Sequence, residues 1–145
     1  MTLSDLTPDT ALAALLDGKV EVQISATNSR KLRAYAQAEQ PQTGLADEFI
    51  SVLYNGTVRS LTRPLGLFRG NLALTIYCKS NSDGTAKKKR IASMVTQCVE
   101  LVNEQTADGY YFELDPANVI TPITVNLTNG YATTVLNVEW RTVQE

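Results

Sequence analysis

The sequence predicts an α+β fold: an antiparallel or mixed sheet of about five to seven strands, with an N-terminal helix and one long helix packed on one face. Three observations lead there. Apolar residues alternate at a period of two in several stretches, most clearly Leu72, Leu74, Ile76 and Cys78 against Ala73, Thr75, Tyr77 and Lys79. In one segment, Ile91, Met94, Val95, Cys98, Val99 and Val102 instead fall at helical spacing. The resulting order of helix, strands, long helix and strands suits an antiparallel sheet with both helices on the same side.

The opening helix is announced by Thr7-Pro8-Asp9, an N-cap candidate with proline at the first helical position, and Gly18 closes it after Ala11 to Leu16. Val20, Val22 and Ile24 then alternate with Glu21, Gln23 and Ser25 as in a half-buried strand. Residues 26–48 form a long, partly irregular segment. Within it Leu32, Ala34, Ala36 and Ala38 fit a strand with one small-residue face, and an Ala-rich helix fits nearly as well. Phe49 to Tyr54 and Thr57 to Thr62 flank Asn55-Gly56, which predicts a hairpin with a type I′ turn. Arg63-Pro64-Leu65-Gly66 interrupts, and Gly66 to Gly70 reads as a glycine-flanked turn before the central strand over Leu72 to Cys78.

Asn81 to Thr85 offers several caps for the long helix. Beyond Asp108-Gly109, strands are expected at Tyr110 to Leu114, Val119 to Leu127 and Ala132 to Val143, with turns at Asp115 to Asn118 and at Asn129-Gly130. The 145 residues read as one domain, without repeat, linker or low-complexity tract.

Composition narrows the function classes. Apolar and aromatic residues make up 43% of the chain and charged residues 19%, a globular balance. No apolar run approaches the roughly 20 residues that span a bilayer, and Met1 to Asp5 lacks a basic-then-apolar leader, so synthesis in the cytoplasm is expected. Histidine is absent, which removes the commonest general base and metal ligand. The phosphate-loop, dinucleotide, zinc-protease and nucleophile-elbow motifs are absent too. Cys78 and Cys98 sit on apolar faces and are expected to be buried free thiols. Turn and surface duty is expected of Asp83, Asp108, Glu113 and Asp115. Neither catalysis nor a metal or organic cofactor is expected.

Charge is segregated along the chain. Between Arg30 and Arg90 eleven basic residues face four acidic ones, whereas acids predominate on either side, for a net charge of -2. Lys87-Lys88-Lys89-Arg90 opens the long helix, where the helix dipole disfavours each cation by roughly 0.3–1 kcal/mol. None of the four has an acid three or four positions onward. Compensation by acids of a neighbouring subunit is therefore expected, drawn from Glu113, Asp115 and Glu139 among others, so that reversing all four charges should spare the monomer and harm assembly. With Lys87 to Arg90, the candidate subunit or partner interface comprises Arg30, Lys31, Arg33, Arg59, Arg63 and Arg69. A nucleic-acid-binding module would use these last six, with Tyr35 or Tyr54 to stack on bases.

Leu12 to Leu16 in an opening helix, Phe49 to Tyr54 in an early strand, Gly70 to Lys79 before Lys87 to Val102, and a closing Tyr131 to Thr142 strand form an order that resembles the tail terminator, or tail-completion, proteins of tailed bacteriophages. The resemblance rests on element order, length and apolar placement; residues 26–48 depart from it. It implies a virion protein in a homo-oligomeric ring, a hexamer in that family, which caps the tail tube and presents a surface to the head-side connector. DNA would pass through the ring without sequence-specific contact. A neck or head-completion connector shares the same features.

Overall fold

A computed structural model describes residues 6–36, 39–60 and 67–143. Helix α1 spans Pro8–Leu16 and starts on the proline as its sequence dictates. Thr7 gives no side-chain cap; its backbone N–H donates instead to the Tyr110 hydroxyl at 2.8 Å. Leu12 and Leu16, one turn apart, are fully buried. Strands β1 (Glu21–Gln23) and β2 (Ser29–Lys31) form a two-stranded ribbon with Val22 opposite Arg30. The Gln97 side-chain amide fastens this ribbon to the long helix α2 (Lys88–Val102): it accepts from the Glu21 N–H at 2.8 Å and donates to the Glu21 carbonyl at 2.7 Å.

The main sheet contains β3 (Ala34–Ala36), β4 (Glu48–Tyr54), β5 (Arg59–Ser60), β6 (Phe68–Lys79), β7 (Gln105–Ala107), β8 (Tyr110–Leu114), β9 (Thr124–Asn126) and β10 (Tyr131–Thr142). Its order is β3-β4-β6-β10-β8-β7, and among the described residues only the β3–β4 pair is parallel. At 12 residues each, β6 and β10 are the axis, paired from Tyr131–Lys79 to Arg141–Arg69. Both are long enough to carry two partners end to end. β4 and β5 share the outer side of β6, while β9 and β8 share the outer side of β10.

Side-chain alternation divides the sheet into two faces. Ile50, Val52, Leu72, Leu74, Ile76, Leu136, Val138 and Trp140 point to the helices and join Leu12, Leu16, Ile91, Met94, Cys98 and Val102 in the core. Each fully buried aliphatic side chain contributes about 1.5–3 kcal/mol by leaving water. Gly70, opposite Trp140, needs to lack a Cβ: one built there would lie 2.9 Å from the indole nitrogen. The other face carries an aromatic cluster at one end, with Phe49 stacked on Tyr77 at 4.4 Å and Tyr131 edge-on to both.

The helix-on-sheet architecture agrees with the α+β expectation, at eight strands plus a ribbon where five to seven were expected. Four local expectations change. No hairpin joins β4 to β5; both pair with β6, and in the Asn55-Gly56 turn only the glycine takes positive φ, at 85°. The type I′ pattern instead occurs at Asp108-Gly109, with φ of 51° and 84°, where it links the unanticipated β7 to β8. The expected strand from Val119 to Leu127 is reduced to β9, because Pro122 has no N–H for the ladder. Its first half still follows β10 through Thr121, whose N–H and Oγ1 both bond Val135 at 3.0 Å. Residues 68–70 belong to β6 rather than to a preceding turn; Ala34–Ala36 is the strand with a small-residue face that its alternation predicts, with Ala34 and Ala36 buried. Ala38, Leu61, Thr62 and Arg63 to Gly66 lie outside the described residues.

Candidate functional site

The ten basic residues singled out in the sequence fall into separate places. Arg30 and Arg90 converge on one carboxylate. Glu48 opens β4 opposite Cys78 on the helix side of the sheet and is 1% exposed. Arg30 Nη1 from β2 donates to its Oε2 at 2.6 Å, and Arg90 Nη1 from the first turn of α2 donates to its Oε1 at 2.7 Å. The two oxygens thus clamp the ribbon and the helix to the sheet. This overturns the expectation that all four cations at the start of α2 await acids from another subunit: Arg90 is compensated within the chain. The neighbouring Cys78 thiol is pushed up to about 11, by burial first and then by the Glu48 charge.

Lys87, Lys88 and Lys89 have no such partner among the described residues. No carboxylate oxygen of the described residues lies within 4.0 Å of their amines, and α2 has neither a side-chain cap nor an acid in its first turn. The caps foreseen at 81–85 are used locally, since Asp83 accepts from the Thr85 N–H at 3.1 Å and hydroxyl at 2.6 Å, which holds its carboxyl below the usual range. The lysines line an open hollow of about 660 Å³ with Val22, Gln23 and Asn81.

Arg33 pairs with Asp17 at 2.9 Å and lies over the Tyr35 ring at 5.5 Å. Tyr35 packs edge-on against Phe49 rather than standing free to stack on a base. Tyr54 has its hydroxyl 3.3 Å from the Leu6 carbonyl and from Asp9, and burial first, then Asp9, pushes it up to about 12. Lys31 is exposed on β2, and Arg63 is outside the described residues.

Arg59 and Arg69 come together at the opposite end of β6, joined by a third arginine that the sequence reading did not single out. Arg59 on β5 is opposite Arg69 on β6, Arg69 is opposite Arg141 on β10, and Arg141 is opposite Tyr111 on β8. The row lines a hollow of about 450 Å³ on the face away from the helices. In the next row along, Asn71, Glu139 and Glu113 are likewise opposite one another. Two of the acids expected to serve a neighbour therefore stand beside their own chain's arginines. The third, Asp115, accepts from the Ala117 N–H at 2.9 Å in a tight turn.

Alternation along β10, with Trp140 facing the core, is the signal that marks Arg141 as outward, but nothing in the linear order places it beside Arg69. A second unanticipated feature is apolar: Ile120, Ile123, Val125 and Leu127 are exposed along the β9 edge, Leu127 at 84%. A Cβ on Gly84 would lie 3.7 Å from Leu127 Cδ2, so this edge adjoins the loop that leads into Lys87.

Both cysteines are buried free thiols. Among the described residues no group of three acids or cysteines is placed to hold a metal ion, and no helix is long and apolar enough to cross a membrane. No protein-family model matches the chain, and no curated protein matches it either.

Proposed function

We propose that the protein is a structural subunit of a tailed-phage virion, a tail terminator that joins copies of itself in a closed ring of about six on the tail tube. The head-side connector is its other partner, and DNA passes through the ring without sequence-specific contact. The observation that carries this reading is the exposed apolar edge at Ile120, Ile123, Val125 and Leu127, whose Leu127 adjoins the loop leading into three lysines that have no carboxylate partner among the described residues. Apolar side chains grouped at an edge and rimmed by charge suit a subunit contact, since burying them removes water while the rim selects the partner. The charge segregation along the chain supports the same reading, because complementary surfaces fix the register of neighbours in a ring. Native mass spectrometry tests it, with and without tail-tube protein. A mass near six chains is expected, reduced toward the monomer by Val125→Asp with Leu127→Asp. A chain that stays monomeric at every concentration, tail-tube protein included, overturns the reading.

A further inference from the structure

We infer that Arg59, Arg69 and Arg141 form a binding site for consecutive phosphate groups. The inference goes beyond the ring reading and does not depend on it, because all three residues come from one chain.

Directly opposite like charges oppose sheet pairing, yet here three stand in register on adjacent strands. No carboxylate oxygen of the described residues lies within 4.0 Å of any of the three guanidiniums. Glu139 and Glu113 are two residues further along their strands, roughly 7 Å away at 3.3–3.4 Å per residue. Charge is therefore sorted into a cationic strip and an anionic strip side by side, not neutralised pair by pair.

The strip is also oriented. The Arg141 guanidinium lies over the Tyr111 ring at 4.6 Å, which leaves its N–H edge available for an acceptor in the hollow. With strands 4.7–4.9 Å apart, the three arginine Cα atoms span about 10 Å. One carboxylate would neutralise a third of this charge. A run of phosphates offers each guanidinium its own pair of oxygens, the geometry in which arginine forks bind best. The hollow of about 450 Å³ has the size of a small-ligand site. The glutamate row repels the anion at one side and so fixes which way it lies.

Two ligands share this chemistry, a free oligophosphate and the backbone of a nucleic-acid strand. Calorimetric titration with tripolyphosphate and with a single-stranded 12-base oligonucleotide at about 50 mM salt tests the site and separates the sources. Binding of either is expected. If only tripolyphosphate binds, the ligand is a free oligophosphate; if only the oligonucleotide binds, it is the strand. Arg69→Gln should weaken binding at least tenfold, and Arg59→Gln, on the short exposed strand β5, provides the same test should the first variant fold poorly. Each arginine removed should lower the salt slope for the oligonucleotide by about 0.7. Lys19→Gln, an exposed cation elsewhere, should leave affinity unchanged. The inference is overturned if the native chain binds neither probe, or if binding survives the arginine changes. It is equally overturned if those changes abolish self-association and not phosphate binding, for then the row pairs with carboxylates of a second copy.

Discussion

Glu48 shows how one residue can decide the meaning of a cluster. Read linearly, Lys87 to Arg90 is a block of four equivalent cations; in the fold, Arg90 shares a buried carboxylate with Arg30 and the three lysines do not. Removing one partner of a buried ion pair costs about 3–5 kcal/mol, and less where the arginines reach solvent, as Arg30 does at 38% and Arg90 at 20% exposure. Glu48→Gln should therefore destabilise by about 2–3 kcal/mol, read as a lowered urea midpoint. Reversal of the cluster should split accordingly. Lys88→Glu with Lys89→Glu places acids at a helix N-terminus and should hold or raise the midpoint, whereas Arg90→Glu sets a second carboxylate against Glu48 and should lower it. Equal effects from the two variants would remove Glu48 from its role as the clamp.

Among the elements, the two-residue turn at Asp108-Gly109 has the type I′ conformation expected of Asn55-Gly56. A type I′ turn requires positive φ at both central residues, and only the later pair has it. Gly109→Ala should accordingly cost about 1 kcal/mol and lower Tm by roughly 2–4 °C. Asn55→Ala, with ordinary φ, should stay within about 0.5 kcal/mol. Thermal melts of the two variants decide, and the reverse ranking would mean that β7 and β8 are joined differently. The hairpin at Asn55-Gly56 fails for a tertiary reason. A 12-residue β6 offers β4 a longer ladder, Glu48 to Tyr54 against Cys78 to Leu72, than the two-residue β5 could.

For the whole molecule, side chains that release their protons late set an alkaline limit. Burial pushes Cys98 up to about 12 and Cys78 up to about 11, from 9.0, and Tyr54 up to about 12 from 10.0. Above pH 9 the unfolded chain releases these protons first, so it binds fewer than the folded chain and stability falls as pH rises. The contribution is fully present below pH 9 and is lost progressively toward pH 11–12. Urea midpoints at pH 8, 9.5 and 10.5 should decline in that order, and Cys98→Val should flatten the slope. A midpoint unchanged through pH 10.5 would show that the thiols titrate freely.

Linear order alone determined the local elements: Pro8 starts α1, the spacing of Ile91, Met94, Cys98 and Val102 makes α2, and the alternation from Leu72 to Cys78 makes the central strand. It also determined that Cys78 and Cys98 are core thiols, because a period of two or of 3.6 already states which face a residue occupies. Pairing was another matter. That β10 lies between β6 and β8, that Glu48 meets both Arg30 and Arg90, and that Arg59, Arg69 and Arg141 share a row are contacts between residues 10 to 82 positions apart. Periodicity fixes a side chain's direction within its own strand or helix and carries no information about which strand lies alongside. Only the closing of the sheet around β6 and β10 brings those charges together, and with them the candidate sites.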